Sequence, residues 1–239
     1  MRELDQAIEQ VGGSDARVLV IRGAGDRAFC AGGDLKELEH LRSEAEATSM
    51  ARTMRTILDL LPALPIPVIA GINGDAFGGG AEILVACDVR VAAEHARIGF
   101  AQITLGLMPA WGASERLAAL VGRGRAMSML ITGRTMTALE ASGLGLVEDV
   151  YPSQTFDVRL DSLARAIAAA PLPALAGIKA SINAVQPHRH PDLADETIAK
   201  FAKTWADPAH WDAVAMMEKR RQTKEPTQAE APGGGQTPV

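Results

Sequence analysis

The chain has 239 residues, of which 47% are apolar and 22% charged. A domain of that size buries roughly 70–75% of its unfolded surface, so it needs no disulfide or metal to hold a core, and the composition excludes a disordered or collagen-like chain. Lys plus Arg number 24 against 29 Asp plus Glu, a net charge of −5, which argues against a main task of holding nucleic acid but leaves room for a basic patch beside a phosphate-bearing ligand.

Met1 to Val11 reads as a helix, with Leu4, Ala7, Ile8 and Val11 at helical spacing, and Gly12-Gly13-Ser14-Asp15 breaks it. The segment is charged and amphipathic, unlike a signal peptide. Val18–Ile21 is a short β-branched run bounded by turn residues, the pattern of a buried strand. A glycine-bearing loop, Gly23–Gly33, follows, and Asp34 is placed to cap a helix over Leu35–Arg42. A longer helix is expected over about Thr48–Leu61, ended by Pro62, Pro65 and Pro67. Pro67–Gly71, Val89–Ala93 and Ala96–Phe100 read as strands, with Gly78-Gly79-Gly80 and the apolar run Ala81–Cys87 between the first two.

From Ser114 onward the pattern is mainly helical: Ser114–Val121, Arg125–Ile131, Ala138–Ser142, Asp157–Ala170, Pro173–Val185, Asp192–Trp205 and Ala209–Arg221. Residues 222–239 are polar and rich in Pro and Gly, and disorder is expected there. No internal repeat is visible in the sequence. The most hydrophobic region is interrupted by Asp75, Glu82 and Asp88, so no membrane span is expected. Cys30 and Cys87 form no CxxC pair, which excludes a zinc ribbon and a thioredoxin-type site and fits a reducing cytoplasm. His188 and His190, in the loop bounded by Pro187 and Pro191, lack the further ligands that a metal site needs. The alternation of strands and helices gives an α/β core over residues 1–190, a helical region over 191–221 and a tail over 222–239.

Three glycine segments carry the chemistry. Gly23-Ala24-Gly25-Asp26-Arg27-Ala28 matches GxGxxA after a strand, but the chain continues as loop where a dinucleotide fold would open a helix, so it reads as a turn at a strand end. Gly32-Gly33-Asp34 and Gly78-Gly79-Gly80-Ala81-Glu82 each lie between a predicted strand and a predicted helix. A helix start presents unpaired N–H groups, and glycine lets a ligand approach them. Two such starts facing one point make an oxyanion hole; taken by spacing alone, a pair of tight turns with ordinary caps is the favoured reading.

Phe29-Cys30-Ala31-Gly32-Gly33-Asp34-Leu35, then Asn73 to Glu82, then Cys87-Asp88, Leu105-Gly106-Leu107-Met108-Pro109 and Glu218-Lys219-Arg220, resemble in order and spacing the crotonase (enoyl-CoA hydratase/isomerase) superfamily over residues 1–221. The resemblance implies a spiral of ββα units with a helical C-terminal trimerisation region, a homotrimer or dimer of trimers, and an acyl-CoA thioester substrate. It implies that the Gly33 and Gly79 N–H groups hold the thioester carbonyl, that the Ala31 carbonyl meets the adenine amino group, and that Lys219 lies near the CoA phosphates; Lys219 also fits a solvated helix face. No metal or redox cofactor is implied, coenzyme A being part of the substrate. Charge that builds on the thioester oxygen as an enolate forms is stabilised by fixed donors more than the ground state is.

Hydratases of this superfamily use two glutamates. The first falls on Glu82, inside an apolar run where an unpaired charge is costly, although a carboxylate in a first helical turn can also serve the helix dipole. The second position, in a segment like F-G-x-P-E-V-x-L-G-L, holds Gln102, an amide that can orient a water or a carboxylate but cannot exchange protons near neutrality. Met108-Pro109-Ala110-Trp111-Gly112 and Trp205-Ala206-Asp207-Pro208-Ala209 are similar to the ethylmalonyl-CoA decarboxylase branch, which keeps only the first glutamate. There Trp111 would line the acyl site, packing being the alternative role. The expected activity is therefore a lyase, alkylmalonyl-CoA decarboxylase-like or hydratase-like; a non-catalytic acyl-CoA binder is the alternative of another class. Superfamily members carry an initial strand pair before the first helix, and Met1 falls inside that helix, so a truncated or open N-terminal edge is expected.

Overall fold

The computed structural model describes residues 2–185 and 192–224. The readings of His188, His190 and residues 225–239 lie outside them. Among the described residues eight strands form two four-stranded sheets; the first six in chain order alternate between the sheets, the seventh stays in the second and the eighth returns to the first. The first sheet is parallel, in the order β1 (Leu19–Arg22), β3 (Val68–Ile72), β5 (Val89–Ala93), β8 (Asp149–Tyr151). The second runs β2 (Ala28–Cys30), β4 (Asp75–Phe77), β6 (Arg97–Gly99), β7 (Thr135–Thr137), parallel except for the β6–β7 pair. Each β-β pair followed by a helical segment is one turn of the spiral. The repeat is one of backbone, not of sequence.

The helices that matter for the site are α1 (Arg2–Gly12), α2 (Leu35–Leu38), α3 (Glu44–Ala63), α4 (Gly79–Leu84) and α5 (Ala113–Val121). Three bounds differ from those expected. The helix expected over Leu35–Arg42 stops at Leu38. Helix α3 begins at Glu44, earlier than Thr48, because Ser43 and Glu46 form a reciprocal capping box. The last helix continues to Lys224, past the expected start of the tail at Gln222. Between them lie α6 (Arg123–Thr132), α7 (Ala138–Gly143), α8 (Phe156–Ala168) and α9 (Leu172–Ala184), followed by α10 (Leu193–Ala206) and α11 (Pro208–Lys224).

Strand β3 is buried along its whole length, as its apolar sequence requires. The main core joins α3, both sheets and α5 through Leu58, Leu61, Ile72, Leu84, Ile98 and Leu117. A second cluster lies under α10, where Met50 and Ala51 meet Phe201 and Trp205, and Trp205 Nε1 donates to the Leu41 carbonyl at 2.5 Å.

Two polar devices fix the frame. Asn73 Nδ2 donates to the Gly23 and Gly25 carbonyls at 3.0 and 2.6 Å, and its Oδ1 accepts from Gly23 N–H at 2.9 Å. The Gly23–Gly25 segment is thus a tied turn, and Ala28 enters a strand instead of opening a dinucleotide-binding helix. Lys179 of α9, 7% exposed, donates to the Leu61 and Ile66 carbonyls at 2.8 Å each and pairs with Asp88 Oδ2 at 2.7 Å. Asp88 Oδ2 also accepts from Val68 N–H at 2.7 Å, so one buried ion pair pins α9 to the end of α3 and the start of β3.

Candidate active site

Strands β2, β4 and β6 are mutually parallel, so the segments that leave their carboxyl ends emerge side by side. These are Ala31–Gly33, Gly78–Glu82 and Phe100–Gln102. The first two are in close register: a β-carbon on Gly32 would stand 3.5 Å from the Gly79 nitrogen, and one on Gly80 would stand 2.0 Å from the Cys30 carbonyl oxygen. At Gly80 only glycine permits that approach, and Gly32 is held to glycine by its φ of +102°. Gly79 opens α4, with Gly78 in the N-cap position at φ +54°, so the Gly79 N–H has no carbonyl within its own helix to bond. Gly33 is exposed at the mouth of the site, as is Ala31.

Glu82 closes the first turn of α4 and is 2% exposed. One carboxylate oxygen, Oε2, accepts from Trp111 N–H at 2.8 Å and Ala113 N–H at 3.2 Å. The other, Oε1, accepts from Gln102 Nε2 at 3.0 Å. Burial pushes the carboxyl up to about 7, against the pull of the Trp111, Ala113 and Gln102 donors toward ionisation. Near neutrality the group is therefore divided between acid and base, which suits general acid–base work.

Gln102 lies in a 3₁₀ turn, Ala101–Leu105, that follows β6 directly. Its amide oxygen is buried with no hydrogen-bond partner. The same side chain can donate through Nε2 to an ionised Glu82 or, turned about, accept through Oε1 from the protonated acid. Trp111 stacks on the other side: a β-carbon on Gly79 would come within 2.2 Å of Trp111 Cζ3 and 2.4 Å of Cη2. The indole also packs against both hydrophobic clusters, so it fills a packing role while covering the Gly79 backbone.

The structure thus brings Gly79, Glu82, Gln102 and Trp111 into contact and places Gly33 on the neighbouring loop. Lys219 is exposed on α11. Among the described residues no group of three or more His, Cys, Asp or Glu side chains could hold a metal ion, and no single helix is long and apolar enough to cross a membrane. Sequence reasoning missed the Trp111 and Ala113 N–H groups as partners of Glu82. The signal was there in Gly112, whose φ of +103° makes the turn that aims both donors at one oxygen.

The enoyl-CoA hydratase/isomerase family profile matches residues 1–225. The chain is 31% identical over 224 residues to a short-chain-enoyl-CoA hydratase of Clostridium acetobutylicum, covering 92% of this chain and 85% of that one. It is 42% identical over 140 residues to the enoyl-CoA isomerase/hydratase fer4 of Mycosarcoma maydis, covering 58% of this chain and 50% of that protein. A crystal structure of an enoyl-CoA hydratase from Bacillus anthracis superposes with a TM-score of 0.75 at 35% identity, covering 94% of this chain and 84% of the other. The chain spans 65% of the length of YngF of Bacillus subtilis, to which it is 42% identical over 170 residues, and half the length of fer4. With two four-stranded sheets, a helical C-terminal region and a match along nearly its whole length, the chain belongs to the enoyl-CoA hydratase/isomerase family, the crotonase superfamily.

Proposed function

We propose that the protein is an acyl-CoA lyase that works through a thioester enolate with Glu82 as its acid–base group, in the manner of an alkylmalonyl-CoA decarboxylase. The observation that carries this reading is the pairing at Glu82: a buried carboxyl poised near neutrality whose outer oxygen meets an amide, Gln102, where a two-carboxylate hydratase would present a second acid. In the proposed reaction the bond between the α-carbon and the substrate carboxylate breaks and CO2 leaves. The electron pair moves onto the thioester oxygen, held by the Gly33 and Gly79 N–H groups. Glu82 in its acid form delivers a proton to the α-carbon and is reprotonated from solvent. The charge is taken up by main-chain donors, so the proposed chemistry calls on no metal or redox cofactor.

Enoyl-CoA hydration is the second reading, and it is favoured by relatives named as hydratases. In it Gln102 orients the water while Glu82 moves the proton. In either reading the Ala31 carbonyl and Lys219 are the proposed contacts for the adenine and phosphates of CoA. The proposed assembly is a homotrimer or dimer of trimers, supported by the exposed Ile178 and Ile182 on α9, 60% exposed each. The proposed compartment is the cytoplasm, in keeping with unpaired Cys30 and Cys87.

The test is a mass-spectrometric panel of acyl-CoA thioesters. Loss of CO2 from ethylmalonyl-CoA supports the first reading; addition of water to crotonyl-CoA with no decarboxylation replaces it with the second. No turnover of any thioester with retained binding makes the protein a non-catalytic acyl-CoA binder.

A further inference from the structure

Behind the turn that holds Glu82 lies a chain of four alternating charges. Glu115 of α5 pairs with Arg55 of α3, Arg55 Nε with Asp59 Oδ2 at 3.0 Å, and Asp59 Oδ1 with Arg116 Nη2. The chain ends on the main chain: Arg116 Nη1 donates to the Trp111 carbonyl oxygen at 2.7 Å. The two arginine side chains are only 9% and 10% exposed, and the two carboxylates 24% and 32%. A surface quartet would contribute little, but guanidinium groups this buried hold a defined geometry.

The turn needs such a hold. Glu82 draws its two main-chain donors from residues 111 and 113, and the residue between them is Gly112 at φ +103°. Glycine reaches that conformation without strain, but it reaches many others equally well, so the sequence of the turn does not by itself fix the angle between the two N–H groups. A β-carbon at Gly112 would stand 2.5 Å from Arg116 Nη1 and 3.1 Å from Arg55 Nη1, so a side chain there would displace the guanidinium groups from their partners. The 111–112 peptide links the peptide that carries the Trp111 N–H to the one that carries the Ala113 N–H, so holding its plane by the Trp111 carbonyl leaves each donor only the rotation at one adjoining α-carbon. Arg116 meets the Trp111 carbonyl with one arm of a fork whose other arm is fixed on Asp59.

We infer that Arg116, braced by Asp59, Arg55 and Glu115, is the positioning residue that keeps the Trp111 and Ala113 N–H groups aimed at the Glu82 carboxylate. Its contact is with the turn, so its influence on Glu82 passes through the two main-chain donors. The inference rests on the reading of Glu82 as the acid–base group. The groups that face Glu82 itself are Gln102 from the 3₁₀ turn and the backbone of Ala110, Trp111 and Ala113, none of them charged; the two guanidinium groups stand behind Gly112.

The experiment is a carboxyl-carbon NMR titration of the protein labelled in glutamate, with the Glu82 resonance assigned by its loss in Glu82→Gln. In Arg116→Met the donors loosen, the ionised form loses hydrogen bonds, and the Glu82 midpoint should move up by about 1 pH unit. Arg116→Lys keeps the charge but has no fork, and its midpoint should fall between those of wild type and Arg116→Met. Asp59→Asn releases the second arm and should move the midpoint the same way by less; it carries the test if Arg116→Met does not fold. A wild-type midpoint in folded Arg116→Met, or in Asp59→Asn where Arg116→Met fails to fold, overturns the inference. A fully active Glu82→Gln enzyme overturns the functional reading instead, while the midpoint comparison still decides whether Arg116 positions the turn.

Discussion

The indole of Trp111 occupies the space that any side chain on Gly79 would need, 2.2 Å from where its β-carbon would stand. The residue that donates an N–H to Glu82 and the residue proposed to donate one to the substrate therefore pack directly on one another. Substituting Gly79 changes the position of Trp111 before it changes anything about a hydrogen bond.

Gly79→Ala alone should accordingly cost about 1–3 kcal/mol of stability by overpacking. In a Trp111→Ala background the clash is gone, and the same change should cost a small fraction of that. A double-mutant cycle by urea denaturation reads the coupling directly. Additive effects would show that the ring moves freely off Gly79.

Glu82 links stability to pH. Its carboxyl titrates at about 7 in the folded chain against an ordinary value of 4.5. The folded state therefore binds the proton more tightly than the unfolded one. The stability held below pH 4.5 is lost progressively as pH rises through 7, by about 3 kcal/mol at the most. Glu82→Gln removes the titration and keeps an amide oxygen for the Trp111 and Ala113 donors. Its stability relative to wild type should rise between pH 5 and pH 8, as measured by melting at both. A difference that does not change with pH would contradict the burial of an ionisable group here.

Gln102→Glu places two carboxyl groups where Nε2 and Oε1 now stand 3.0 Å apart. They cannot both ionise cheaply, so the pair shares a proton and titrates as a unit. The variant should be less stable relative to wild type at pH 8 than at pH 5. It should gain hydration of a short enoyl-CoA and bind alkylmalonyl-CoA more weakly, the added charge repelling the substrate carboxylate. Unchanged ratios of the two activities would show that Gln102 does not face the reacting group.

Lys179→Met removes the cation from a buried pair and leaves the Leu61 and Ile66 carbonyls and Asp88 without it. A loss of about 3–5 kcal/mol is expected in urea denaturation. A loss below about 1 kcal/mol would mean that packing of α9 does not depend on this pair.

Strands β1, β3, β5 and β6 are legible because each lies in a run of apolar, often β-branched residues; β3 ends up buried throughout, while β1, at the edge of its sheet, stays half-buried. Strands β2, β4, β7 and β8 are three residues each and escape such a reading, since Ala28–Cys30 or Thr135–Thr137 has no periodicity to detect. They exist because the neighbouring turn of the spiral offers a strand to pair with. The glycine loops and Glu82 are likewise legible, since glycine before a helix start and an acid within an apolar run are local features. The Glu82–Gln102 contact spans 20 residues and the Arg116–Asp59 contact 57, and nothing in the spacing of those residues records that parallel strands and packed helices bring them together.

The central claim is that Glu82 moves the proton. The direct test is the turnover number of Glu82→Gln, at pH 7, on the acyl-CoA that the wild-type enzyme converts best. The nearly isosteric change should leave thioester binding within a few-fold of wild type while turnover falls by about 10²–10⁴. Turnover close to wild type in the folded variant would contradict the account.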